Sequence, residues 1–132
     1  MGRRLKEREI VPDLMLSSPA NRALTTCKTI AQVIGYDDNA IKTNQGIYHA
    51  NEDDLINIVR ELPDNVNEVM IFGHNPGLTE FANLILKENI ANIPTTGVVA
   101  GRLTIDRWKD FKPGCGKLLF FDFPKKHLRK ED

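Results

Sequence analysis

"IFGHNPGLTEF", residues 71–81, decides how this 132-residue chain is read. An apolar run with strand character, Glu68 to Gly73, stops at a histidine. Asn75-Pro76-Gly77 follow, and then apolar residues recur at helical spacing: Leu78, Phe81, Ala82 and Ile85. Asn75-Pro76 therefore opens a helix, since proline presets φ and a first helical turn needs no amide from it. His74 falls at the carboxyl end of a buried strand, beside the free N–H groups of a helix N-terminus.

The same strand-to-helix junction occurs earlier in the chain. Asp13 to Ser17 (DLMLS) reads as a short buried strand, and Ser18-Pro19 as a helix start with Ser18 as N-cap. Ala23, Leu24, Cys27, Ile30, Ala31 and Ile34 form one apolar stripe, and Gly35 ends that helix. Met1 to Glu9 reads as a helix fragment, and Gln45 to Tyr48 as an edge strand. Asn51 caps a third helix, with Glu52, Asp53 and Asp54 in the first turn, where negative charge suits the dipole. Leu55, Ile56, Val59 and Leu62 face inward and Pro63 stops it. Val98 to Ile105 and Lys117 to Phe123 are the last strands, joined by a loop containing Lys112-Pro113-Gly114. The charged tail, Lys125 to Asp132, is expected to fray.

Strands alternate with helices through about residue 90, which predicts an α/β fold with a parallel sheet. The final two strands lack a helix between them, so one of them is expected to run antiparallel. The length suits a single domain, residues 1–132. Composition is globular, 41% apolar and 27% charged, and 18 basic residues balance 18 acidic ones. That balance argues against a nucleic-acid or membrane surface, but not against a local anion pocket. Cys27 and Cys115 are far apart and no apolar run is long enough to span a bilayer, so a cytoplasmic setting is expected.

In parallel sheets ligands bind beyond the carboxyl ends of the strands, and both junctions lie there. Arg22 occupies the first turn of its helix, where a cation opposes the dipole and so needs another reason to be present. Two helix N-termini, an arginine fork and His74 would converge on one point. That is an anion site, and phosphate fits it. Ser17 and Ser18 beside a histidine raise a serine hydrolase, but no G-x-S-x-G elbow occurs and Ser18 is accounted for as a cap.

"LSSPANRA" (16–23), "IFGHNPGLTEFANLI" (71–85) and "IPTTGVVAGRL" (93–103) together resemble the small SixA-type phosphohistidine phosphatases. These belong to the histidine phosphatase superfamily, whose three-layer α/β/α fold is like that of phosphoglycerate mutase. The resemblance runs from Met1 to about Pro124. It implies that a histidine attacks phosphorus and water then hydrolyses the phosphoenzyme. It implies that Arg22 is one of two arginines, and His74 the second histidine, that hold the phosphoryl oxygens, joined by the backbone N–H of Asn75. Ser18, Thr95 and Thr96 would lie on the substrate rim. The implied partner is a protein bearing phosphohistidine. No metal or cofactor is implied, and His49, His74 and His127 lack ligand spacing.

The chain departs from that pattern in two places. The family begins with a strand ending in R-H, which supplies the nucleophile and the other arginine, and no R-H pair occurs here. By the size of a βα unit, roughly 30 to 40 residues upstream are expected to be absent. The lost strand would lie centrally, between the His74 strand and Val98 to Ile105, so both neighbours would carry unpaired edges. The chain as written is then expected to hydrolyse phosphate donors near background, and to fold poorly, self-associate through those edges or recruit a substitute strand. His49 and His127 are expected to face solvent and replace nothing. Secondly, no acid stands near Gln45 to Tyr48 before Glu52. A phosphoramidate leaving group demands less general acid than an alkoxide, which favours phosphohistidine over sugar phosphates. Two alternatives stay open: an inactive relative that binds phosphate or a phosphoprotein, and a small phosphate-ester phosphatase.

Overall fold

A computed structural model describes residues 2–124. Met1, His127 and the charged tail from Lys125 to Asp132 lie outside the described residues. The elements run α1 (Gly2–Glu7), β1 (Leu14–Ser17), α2 (Asn21–Ile34), β2 (Lys42–Thr43), α3 (Glu52–Arg60), β3 (Val69–Phe72), α4 (Gly77–Leu86), β4 (Val98–Leu103) and β5 (Gly116–Asp122).

β1 sits between β2 and β3 in a parallel sheet, with Leu16 beside both Lys42 and Ile71, and Ser17 beside both Thr43 and Phe72. Alternate residues serve opposite cores, as the two-residue period of a strand requires. Met15, Met70, Phe72, Val98 and Phe120 face Leu5 of α1 and the α2 stripe of Cys27, Ile30, Ala31 and Ile34. Leu16, Val69, Ile71, Val99, Leu103 and Leu118 serve the cores that hold Leu55, Ile56 and Val59 of α3 and Ile85 and Leu86 of α4. This is the α/β/α layering, and full burial of each such aliphatic side chain contributes about 1.5–3 kcal/mol.

The middle layer is not one continuous ladder. β4 and β5 pair antiparallel with each other, Val98 opposite Asp122, in a sheet of their own with a bulge at Ala100/Gly101. The mixed α/β class holds, and the antiparallel strand takes the form of a separate pair. β3 and β4 share both cores, yet among the described residues β3 pairs only with β1 and β4 only with β5.

Local chemistry accounts for the element boundaries. Asn51 and Asp54 form a reciprocal capping box, and the negative first turn of α3 is present as expected. Gly35, at φ 84°, ends α2 in the left-handed conformation. Two expectations are corrected. The edge strand expected at Gln45 to Tyr48 lies earlier, at Lys42–Thr43, and Gln45–Ile47 is a 3-10 turn. Asn44 causes this, because its side chain accepts the Gly46 N–H at 2.8 Å and closes the turn. Ser18 is not the N-cap of α2. The helix begins at Asn21 with Ala20 as its unassisted cap, and Ser18 Oγ accepts the Ala20 N–H at 3.2 Å in a turn ahead of it.

Trp108, Phe111 and Cys115 pack in the α3/α4 core, and Trp108 Nε1 donates to Val66 O at 2.8 Å. Arg8 ties the end of α1 to β5 through Asp122, 3.7 Å away, and lies over the Phe120 ring. Both cysteines are free, and burial pushes the Cys27 thiol up to about 11, opposed by Lys28. No helix among the described residues is long and apolar enough to cross a membrane.

Among the described residues β3 and β4 keep open edges beside a shared apolar layer, which should drive self-association. Sedimentation velocity is expected to show a concentration-dependent dimer or larger species; a cooperative monomer across the accessible concentration range would contradict this. A second expectation concerns the contact of α3 with α4. A hydrogen bond to Glu52, then repulsion from it, raises the Glu80 carboxyl above its usual range. A raised folded-state value gives stability at low pH that is lost as pH rises through that value. Glu80→Gln should therefore match the parent chain below about pH 4 and become the more stable of the two above it. Urea midpoints whose difference does not change with pH would refute the pairing.

Candidate functional site

The parallel register of β1 on β3 brings two chain ends level. The Ser18 N–H donates to Phe72 O at 2.9 Å, so the residues after both strands leave the sheet side by side. Across that gap His74 Nε2 stands 2.9 Å from Ser18 Oγ. Ser18 is fully buried and His74 half-buried.

The hydroxyl already accepts the Ala20 N–H. With neutral His74 protonated on Nδ1, the hydroxyl proton is free to be donated to Nε2. With His74 charged, Nε2–H donates to the oxygen instead. Nδ1 has no partner among the described residues: it offers an N–H to a ligand when His74 is charged or is the Nδ1–H tautomer, and a lone pair when neutral His74 carries its proton on Nε2. The pair also has the spacing of a serine nucleophile and its base. Two facts oppose that use: the hydroxyl is wholly enclosed, and no carboxylate bonds to His74 among the described residues.

Arg22 is the second residue of α2 and exposed, and its guanidinium makes no hydrogen bond or ion pair among the described residues. The amides of Asn21, Arg22 and Ala23 are likewise unengaged; intrahelical bonding begins with Leu24 N–H to Ala20 O. This end of α2 offers a fixed cation with free donors beside it.

The N-terminus of α4 is different, and corrects the expectation that two free helix ends converge. Leu78 N–H bonds to His74 O and Glu80 N–H to Pro76 O, while Asn75 Oδ1 accepts from Thr79 N at 3.3 Å and Thr79 Oγ1 at 2.7 Å. Asn75 Nδ2 donates to Asn92 Oδ1 and, at 2.8 Å, to Ile93 O. Its side chain is therefore a brace between the His74 turn and the segment leading to β4. Only its backbone N–H remains for the oxyanion role expected of it. Thr95 and Thr96 lie on that braced segment and are exposed; Thr96 Oγ1 donates to Thr95 O, and neither hydrogen-bonds to Ser18, Arg22 or His74 among the described residues.

The wall beside His74 is a feature the sequence reading missed. Tyr48 lies edge-on to His74, ring centroids 5.6 Å apart, and Tyr48 packs edge-on to His49 at 4.1 Å. His49 is exposed, as expected, with a left-handed φ of 64°. The loop fits closely against the His74 turn. A Cβ on Gly77 would collide with Ala50 O, and one on Gly73 would meet the Ile47 side chain at 2.9 Å. The two glycines flanking "HNP" were the available signal, since each marks a close approach of another segment. A shallow groove elsewhere, lined by Glu52, Glu80, Asn83 and Leu84, carries the charge that repels phosphate.

No protein-family profile matches the chain. Two curated proteins from two strains of Mycobacterium tuberculosis, uncharacterized proteins MT1313 and Rv1276c, are each 28% identical over 123 residues, covering 86% of this chain and 74% of theirs. A solved structure of a candidate phosphohistidine phosphatase SixA from Nakamurella multipartitia superposes with a TM-score of 0.75 at 14% identity, over 93% of this chain and 77% of that one. Another, from Agrobacterium tumefaciens, gives 0.68 at 22% identity, over 93% and 75%. By its fold, the chain is SixA-like.

Proposed function

We propose that this chain is a histidine-phosphatase-type domain whose Arg22 and His74 hold a phosphoryl group, borne in the cell by phosphohistidine of a cytoplasmic protein partner. The observation that carries the reading is the 2.9 Å contact of His74 Nε2 with Ser18 Oγ. It joins the two strand ends and leaves Nδ1 free for a ligand, as a donor when His74 is charged or protonated on Nδ1. The Arg22 fork and the amides at the start of α2 supply further donors and positive charge. The Asn75 backbone N–H completes the set.

Such a site stabilises the charge that develops on phosphoryl oxygens during transfer. Hydrolysis in this superfamily also needs a histidine nucleophile in line with phosphorus. His49 and His74 are the histidines among the described residues, and His74 is engaged by Ser18. That favours a second reading for these residues taken alone: a phosphoryl-binding module without turnover. Both readings share the same anion site.

Calorimetric titration of the full chain with inorganic phosphate tests it. Arg22→Ala should weaken binding by roughly 10- to 100-fold, the range for a lost charge-assisted bidentate contact. His74→Ala should weaken it by about 10-fold. Hydrolysis of phosphoramidate by the chain should stay near background. Phosphate affinity unchanged in both variants would remove Arg22 and His74 from any anion site.

A further inference from the structure

We propose that Tyr48, backed by His49, is a specificity wall that receives a planar aromatic group attached to phosphorus, such as an imidazole ring. The inference rests on the reading of Arg22 and His74 as the phosphoryl-holding pair, and it assigns what that pair's ligand carries.

Tyr48 is 43% exposed, one of few large apolar side chains left open, and it is the one that touches the site. Its ring stands at 82° to the His74 ring with centroids 5.6 Å apart, inside the range over which aromatic groups attract. A ligand whose phosphoryl oxygen accepts a hydrogen bond from His74 places its next substituent within reach of Tyr48. An aliphatic alkoxide has little surface to offer that wall. A flat ring can pack against it, face or edge.

The backbone that carries the wall is held in place. Ile47, almost fully buried, anchors the preceding residue, and the Tyr48 N–H donates to Gln45 O at 3.1 Å. Ala50 N–H donates to Ile47 O at 3.1 Å, which closes the loop around Tyr48 and His49. His49 holds a left-handed φ of 64°, a conformation that costs a non-glycine residue energy and persists only when its surroundings impose it. The next residue, Ala50, sets its carbonyl close against Gly77, which has no Cβ to block it. The His49 ring packs against Tyr48 with centroids 4.1 Å apart. A loop closed this way presents its aromatic ring with little ordering left to do on binding.

Phenylphosphonate and methylphosphonate test this on the full chain, because both present the same phosphoryl oxygens on a stable P–C bond. Affinities are measured by calorimetry at a pH where both are dianions. The parent chain should bind phenylphosphonate about 3- to 10-fold tighter than methylphosphonate. Tyr48→Phe should keep that ratio, and Tyr48→Ala should bring it to about one. Equal affinities in the parent chain, or a ratio that survives Tyr48→Ala, would overturn the wall while leaving the phosphoryl site standing. Failure of the parent chain to bind either phosphonate would overturn the phosphoryl site, and the wall with it.

Discussion

Everything at the site depends on the parallel register of β1 against β3. Leu14 lies beside Val69 and Ser17 beside Phe72, so both strands end level and Ser18 meets His74 two residues beyond. A slip of one residue would turn Met15 and Leu16 into each other's cores and move Ser18 out of reach of the imidazole. The register is held by burial on both faces. Met15 is enclosed under α2 and Leu16 under α3, and neither can face the opposite layer without leaving its partners. The hydrogen bond at the site is thus a consequence of core packing elsewhere.

Around that pair, the local chemistry separates scaffold from ligand donors. Asn75 Oδ1 takes the Thr79 amide and His74 O the Leu78 amide, and Asn75 and Thr79 tie the turn to Ile93, while α2 leaves its first amides and Arg22 open. The two helices begin at neighbouring strand ends yet do different work. One is braced by Asn75 and the other keeps its donors unengaged among the described residues. Tyr48 adds an apolar side to an otherwise polar rim.

Much of this was legible from periodicity and punctuation. The α2 stripe, Gly35, the Asn51 cap and the strand before His74 each followed from a pattern that a few residues set locally. The departures arise where a side chain competes with the backbone. Ser18 looks like a cap, yet its hydroxyl serves Ala20 and His74 instead, a choice made by a strand fifty residues away. Asn44 closes a turn where an edge strand was expected. Tyr48 falls at the end of the expected edge strand, and its position beside His74 depends on the fit of Ala50 against Gly77; the glycine marks a close approach but not which segment makes it. The division of the middle layer into two ladders likewise depends on which strands meet in space.

The central claim is that Ser18 fixes His74 so that Nδ1–H and the Arg22 fork face one bound oxyanion. A crystal structure of the full chain with orthovanadate tests it most directly. The expected result is vanadate oxygens within hydrogen-bonding distance of His74 Nδ1 and the Arg22 guanidinium, with Nε2 still on Ser18 Oγ. Vanadate bound away from both residues, or a His74 ring turned from the anion, would contradict it.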